Sequence, residues 1–355
     1  MSTHVGNVST SSTTPTTSDL DGTDGITDAE IFTLVVMLVV MVLSLVGNLL
    51  VIGAVRIRES LRTPNNIFLV NLALADLGQG IIAIPLRMTE IFNRGTEPLV
   101  PCLMVLYVTI LFFGVSMITV AMISTDRFIA IRWPFLYVQY FTKGSVLTSI
   151  ICTWLFMVIF SSVPYLGAAV TPEIPTKFCF YSQYLSQAYL LTMFSLINIL
   201  IIIILLFTNI YLLKQTLRHI IKIKSQVVPM SWDENSHNRS EETSQTQQAQ
   251  GTTQPSSLDT PNRTRARYHR EIKATKVTIA VVGFTIVLTT PIMVIDLVSV
   301  WCPICSPSII TRIAVAMAYA NSCVNPWIFA GFNRLYRETY VEVLKRIRKV
   351  LLCRS

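Results

Sequence analysis

Seven apolar stretches dominate the chain, near residues 31–55, 66–92, 99–131, 144–167, 185–213, 272–301 and 308–332. Each exceeds the roughly 20 residues a helix needs to cross a bilayer. Backbone N–H and C=O groups in hydrocarbon must be paired within the chain, so these runs are expected to be helices. Charged residues make up only 14% of the chain and hydrophobic ones 52%. Soluble domains carry about a quarter charged residues, so the deficit fits lipid as the solvent. The net charge of +8 lies in short basic clusters between the apolar runs. It therefore marks membrane topology and argues against nucleic acid as a partner.

Those clusters also orient the spans. Arg56, Arg58 and Arg62 follow the first; Arg127, Arg132 and Lys143 bracket the end of the third. Lys214, Arg218, Lys222 and Lys224 follow the fifth, Arg263 to Lys273 lead into the sixth, and Arg334 to Lys349 follow the seventh. All lie on one side if the N-terminus is outside, which predicts a multi-pass plasma-membrane protein with an odd number of spans.

Residues 1–30 are Ser- and Thr-rich and lack Lys and Arg. They are expected to be a disordered extracellular segment without a cleavable leader, so that the first span itself targets the chain. Asn7-Val8-Ser9 is a glycosylation acceptor on that side. The receptor domain is expected over 31–332, with 225–263, rich in Ser, Thr, Gln and Asn, as a disordered inner loop. Residues 333–355 should hold an amphipathic helix and a short tail. Leu335, Tyr336, Tyr340, Val341, Val343 and Leu344 recur there at helical spacing among basic residues. Cys353 beyond it is a palmitoylation candidate.

Polar residues inside membrane helices are costly and mark function. Here they are Gly47-Asn48 in the first span, Leu72 to Asp76 in the second, Asp126-Arg127-Phe128 closing the third, Trp154 in the fourth, and Asn325-Pro326-Trp327-Ile328-Phe329 ending the seventh. In this order and placement they resemble the rhodopsin-like (class A) G-protein-coupled receptors, from residue 31 to about 350. The resemblance implies an all-α seven-transmembrane bundle with an amphipathic eighth helix. It also implies a receptor for an extracellular small molecule, signalling to heterotrimeric G proteins, with arrestin and receptor kinases as further partners.

The C-terminal third is similar to adenosine receptors in Glu271, Cys302 to Ser306, and Asn321 to Pro326. Asp296 stands where those receptors carry the asparagine that binds adenine, and Tyr181 takes the place of their stacking phenylalanine. The departures are Thr289 for a tryptophan, Tyr319 for a histidine, Ser182 for a glutamate, and Ile203 near a usual fifth-span proline. The scaffold thus resembles an adenosine receptor without reproducing its purine pocket.

By this resemblance Thr109, Phe113, Tyr181, Thr289, Asp296 and Tyr319 are expected to line the ligand site. Asp76, Ser116, Asn321, Ser322 and Asn325 form an oxygen set suited to an allosteric sodium ion; no other cofactor is expected. Asp126, Arg127, Phe128, Glu271, Tyr211, Asn325, Pro326 and Phe329 are expected to switch G-protein coupling, with an Arg127–Glu271 pair closing the inner face and Pro291 as pivot. Residues 102 to 127 rise roughly 37 Å as a helix, so Cys102 lies outside, and the family implies Cys179 as its partner. Cys302 and Cys305 should form a local outer bridge. Redox or zinc chemistry there would need further ligands, and none is near. Arg87 and Glu90, one turn apart, can pair with each other.

Alternatives within the fold are a melatonin-like indole or a peptide. Thr109 stands where amine receptors carry an aspartate, which argues against an amine held in that mode; the seventh span has no lysine for retinal. A transporter or channel would show matching halves, and none is visible. The sequence lacks H-E-x-x-H and G-x-S-x-G patterns and any histidine cluster, so an enzyme is not expected.

Overall fold

The computed structural model describes residues 27–93, 99–166, 181–227, 260–302 and 308–352. Seven helices are long and apolar enough to cross a membrane: Asp28–Ile57, Pro64–Phe92, Cys102–Arg132, Lys143–Leu166, Gln187–Arg218, Ala274–Trp301 and Ile309–Phe332. They are called the first to seventh spans below. A short helix, Pro134–Tyr140, follows the third span, and a terminal helix covers Arg334–Leu352. The membrane bundle and its eighth helix are as expected.

Local sequence sets the starts. The first span opens on a capping box in which the Thr27 hydroxyl accepts from the Glu30 N–H and the Glu30 carboxylate accepts from the Thr27 N–H. Thr63 caps the second span with Pro64 at its first position, where the missing N–H has no partner to lose. Thr142 and Ser145 cap the fourth reciprocally.

The boundaries differ from the apolar runs in a consistent direction. The first helix begins at Asp28, the fifth continues to Val227, and the sixth begins at Thr260. The ends of the stretch expected to be disordered, 225–263, are therefore helical. Lys and Arg are good helix formers, so a helix need not stop where its apolar run stops. Asn7, Cys179, Cys305 and Cys353 lie outside the described residues.

Two spans are interrupted. Gln79–Ala83 in the second and Phe194–Ile199 in the fifth are π turns. The fifth-span irregularity occurs although no proline is present there. Pro291 and Pro326 stand inside the sixth and seventh spans.

The second and third spans sit deepest: 67% and 61% of their apolar windows are buried in protein, against 28% for the fourth. The rest of the apolar surface, such as Ile159, Phe207, Val287 and Trp301, faces outward. A belt of that size would be untenable in water and is the lipid-facing surface. Lipid is as apolar as leucine, so the helices are held together by close packing and polar contacts. Gly47 meets the ring of Pro326, Gly78 the ring of Phe112, and Gly114 the side chain of Met157. The terminal helix docks under the first and seventh spans. Arg58 pairs with Glu342 at 3.3 Å, Gly53 faces Val343, and the Tyr340 hydroxyl donates to the Pro326 carbonyl at 3.3 Å.

Gly47 generates a stability prediction. An added Cβ there would lie 2.9 Å from both Cβ and Cγ of Pro326, a ring that cannot rotate away. Gly47→Ala is expected to cost about 1–3 kcal/mol by overpacking. Gly283→Ala, with nothing within 4 Å of its Cβ, should be neutral or stabilising. Thermal unfolding of the two purified variants in detergent checks this; equal melting temperatures would refute it.

Candidate functional site

A cavity with about 670 Å³ of empty space opens between the spans at the end of the bundle that carries Tyr181. Thr109 and Phe113 enter it from the third span, Tyr181 from the short helix Tyr181–Tyr184, Asp296 from the sixth span and Tyr319 from the seventh. Five of the six expected ligand residues thus share one wall system. Thr289 does not line it; fully buried, it donates its hydroxyl to the Thr285 carbonyl at 2.7 Å.

Gln79, Arg87 and Asn198 also line the cavity and were not anticipated as ligand residues. Two of the three have a common cause. Gln79 opens one π turn and Asn198 lies within the other. The extra residue in a π turn rotates the following face of the helix, which apolar periodicity does not register.

Arg87 and Glu90 form a buried ion pair, as their spacing suggested. The Thr109 and Tyr319 hydroxyls are hydrogen-bonded at 3.1 Å across the third and seventh spans. Burial, with Tyr319 and Asp296 nearby, holds the Tyr181 hydroxyl well above its ordinary pKa. It is a neutral donor at any physiological pH.

Beneath the cavity lies a buried polar network. Asp76 is fully buried; one carboxylate oxygen accepts from Ser116 at 3.0 Å and the other from Asn325 at 2.9 Å. The Ser44 hydroxyl donates to the Asp76 carbonyl at 3.1 Å, and Asn48 donates to the carbonyls of Ser44 and Ser322 at 2.9 and 3.0 Å. Two expected members stand differently. Ser322 donates its hydroxyl to the Tyr319 carbonyl at 2.8 Å, and the Asn321 carbonyl accepts from Asn325 at 3.4 Å. Asn71 joins the second, third and fourth spans, donating to Thr119 at 2.8 Å while accepting from the Trp154 indole at 2.8 Å.

At the opposite end of the bundle the Arg127 guanidinium donates to Asp126 through Nε at 2.8 Å and Nη2 at 2.6 Å, and to the Tyr137 hydroxyl at 3.1 Å. Tyr137 comes from the short helix after the third span and was not anticipated. Glu271 lies on the sixth helix, but its side chain is outside the described residues. Phe128 packs against Trp133, Phe207 and Tyr211, the last at 4.9 Å between ring centroids. Phe329 rests on Tyr336 of the terminal helix at 5.8 Å. A second cavity of about 480 Å³ opens here, lined by Asn65, Ile123, Thr278, Phe329 and Tyr336 among others.

Cys102 and Cys302 are each disulfide-bonded. Their expected partners, Cys179 and Cys305, lie outside the described residues. Among the described residues Cys152 and Cys323 are free thiols, and no group of three or more His, Cys, Asp or Glu side chains could hold a metal ion.

Seven apolar helices around a buried carboxylate, with a cavity at one end and a paired arginine at the other, define a seven-helix membrane receptor. Residues 47–329 match the 7 transmembrane receptor (rhodopsin family), and the chain belongs to that family. It is 26% identical to 5-hydroxytryptamine receptor 2B of Dichotomyctere fluviatilis, covering 87% of this chain and 74% of that one. It is 25% identical to human adenosine receptor A2a, covering 87% and 71%. The chain is a receptor that signals to G proteins and not an enzyme.

Asp126 is 0% exposed and Arg127 6%, so Asp126→Ala takes from a buried cation the carboxylate that accepts two of its hydrogen bonds. Removing one member of a buried pair costs about 3–5 kcal/mol. The variant should unfold at lower temperature and show raised ligand-independent nucleotide exchange on G protein. Unchanged values of both would refute this account of the pair.

Proposed function

We propose that the outer cavity takes an extracellular small molecule and that its occupancy biases the Arg127 end of the bundle toward an open, G-protein-binding state. One observation carries this reading: polar contacts of successive turns of the seventh span link the cavity wall to the turn that holds the carboxylate. The Thr109–Tyr319 hydroxyl pair stands at the cavity. The Tyr319 carbonyl holds Ser322, the Ser322 carbonyl holds Asn48, and Asn325, one turn on, holds Asp76. A ligand that moves Tyr319 acts on the seventh span within a turn of that network.

The shift in population follows from differential affinity alone. Moving a bundle from 1:99 to 99:1 open needs about 10⁴-fold tighter binding to the open form, roughly 5.5 kcal/mol. Pro291, which removes one backbone hydrogen bond from the sixth span, is the pivot in this reading.

The proposal includes a sodium ion at Asp76. The donors fit: a buried carboxylate with one hydroxyl and one amide already on it, no sulfur or nitrogen ligand, and Ser322 and the Asn321 carbonyl close by in sequence. An oxygen set with one negative charge suits a hard monovalent cation, which would add positive charge where the second, third and seventh spans meet. The N-terminus lies outside the plasma membrane, supported by basic clusters at the opposite ends of the spans. Arrestin and receptor kinases act on the cytoplasmic side, where 225–263 offers many hydroxyls. Among ligands, the adenosine-like scaffold favours a nucleoside-sized molecule; the resemblance to an amine receptor of equal extent is the second reading.

The experiment is nucleotide exchange on a set of G proteins by the full receptor in lipid nanodiscs. Arg127→Ala should abolish exchange at equal receptor level, and Tyr319→Phe should weaken coupling by breaking the hydroxyl pair. Replacing sodium by choline should raise agonist affinity in wild type and leave Asp76→Asn unmoved. Full exchange by Arg127→Ala would end the reading.

A further inference from the structure

We infer that Tyr336 of the terminal helix is a positioning residue of the G-protein switch. Its hydroxyl and the Asn65 side-chain carbonyl are two halves of a hydrogen bond, open in this structure and made when the seventh span shifts toward the second. This rests on the proposed opening of the Arg127 end of the bundle.

The cavity of about 480 Å³ at that end supplies the first argument. Five of its described lining side chains carry polar atoms: Asn65, Asn66, Thr278, Asn333 and Tyr336. Three are bonded. The Asn66 amide donates to the Leu61 carbonyl at 2.7 Å and the Thr278 hydroxyl to the Ala274 carbonyl at 3.2 Å, while the Asn333 side-chain carbonyl accepts from the Leu335 N–H at 3.1 Å. The Tyr336 hydroxyl and Asn65 Oδ1 are both buried and have no hydrogen-bond partner among the described residues. Tyr336 as a whole is 2% exposed. A phenol can donate and an amide oxygen can only accept, so the two unmet groups of this cavity are complementary.

The two halves stand on different bodies. Asn65 lies in the first turn of the second span, which the Asn71–Thr119 and Asp76–Ser116 bonds tie to the third. The Tyr336 ring packs 5.8 Å from Phe329 and 6.0 Å from Tyr340, whose hydroxyl is on the Pro326 carbonyl. Tyr336 therefore travels with the seventh span, which also carries Tyr319 in the wall of the outer cavity. The Asn325–Asp76 bond joins the bodies at one height. A hinge there changes the gap between Tyr336 and Asn65. Phe329 has no hydroxyl, so Tyr336 is the one phenol among the described residues of this cavity.

Energetics give the pair a direction. With Arg127 held by Asp126, this structure is the resting state of the proposed function. A buried polar group without a partner costs its desolvation, and a made bond recovers it. The resting state carries that penalty and the shifted state does not, so the pair biases the bundle away from rest. Removing the hydroxyl relieves the resting bundle and takes a bond from the shifted one. Both effects favour rest.

The test measures thermal unfolding and nucleotide exchange together, on the full receptor in lipid nanodiscs. Tyr336→Phe should raise the melting temperature of the ligand-free receptor by about 2 °C or more. It should also lower ligand-independent exchange about three- to tenfold, the worth of one hydrogen bond. Asn65→Leu should do the same, and the double variant should lower exchange no further than either alone. A hydroxyl already bonded at rest, to water or to protein, would give the opposite melting shift. A fall in melting temperature, unchanged exchange, or losses that multiply in the double variant would each overturn the inference. Should Tyr336→Phe fail to fold, Asn65→Leu against wild type decides on the same two readouts. Failure of the proposed function reads differently: wild type and Arg127→Ala would drive equal exchange, while the melting shifts would persist.

Discussion

Everything in this bundle is organised around a carboxylate that has no access to water. Asp76 is held in the centre by Ser116 of the third span and Asn325 of the seventh. An unpaired charge in such a medium costs several kcal/mol, and lipid offers nothing to relieve it. The second, third and seventh spans must therefore stay in register to within a hydrogen-bond length. The same demand recruits Ser44 and Asn48, whose donors take up the Asp76 and Ser322 carbonyls and tie in the first span. In lipid, where apolar burial gives no preference for helix over solvent, such contacts decide which helices are neighbours.

Close packing completes what the polar network starts. The glycine contacts at 47, 78 and 114 bring helix axes near enough for dispersion to act over long surfaces. The terminal helix is held by an Arg58–Glu342 pair and by the Tyr340 bond to the carbonyl of Pro326, the residue next to the Asn325 that holds Asp76. Helix, network and cavity are thus contiguous. A change in any one changes the strain on the next, which is the physical basis on which a receptor of this family can be bistable.

Much of the site was legible in the sequence, and for a definite reason. A polar residue in an apolar run stands out against its background, so Asp76, Ser116, Asn325 and Arg127 could be picked without coordinates. Asp76 meets Ser116 and Asn325 of the oxygen set read from the sequence, while the Glu271 side chain expected to pair with Arg127 lies outside the described residues. Less legible were the partners supplied by backbone and by irregular segments. Tyr137 reaches Arg127 from a short helix outside the spans. Ser322 turns to the Tyr319 carbonyl. Thr289 closes on its own helix and leaves the cavity wall.

The sequence by itself determined the number of spans, their sidedness as an expectation, and the class of receptor, because hydropathy, basic clusters and spaced polar residues are local properties of the chain. Only the tertiary structure decided what the outer cavity presents. Whether Gln79, Arg87 and Asn198 reach the cavity beside Asp296 depends on helix rotations. Those rotations are set by two π turns and by packing between spans distant in sequence. No one-dimensional pattern records which of two faces a helix will show its neighbours once an extra residue has been inserted in a turn.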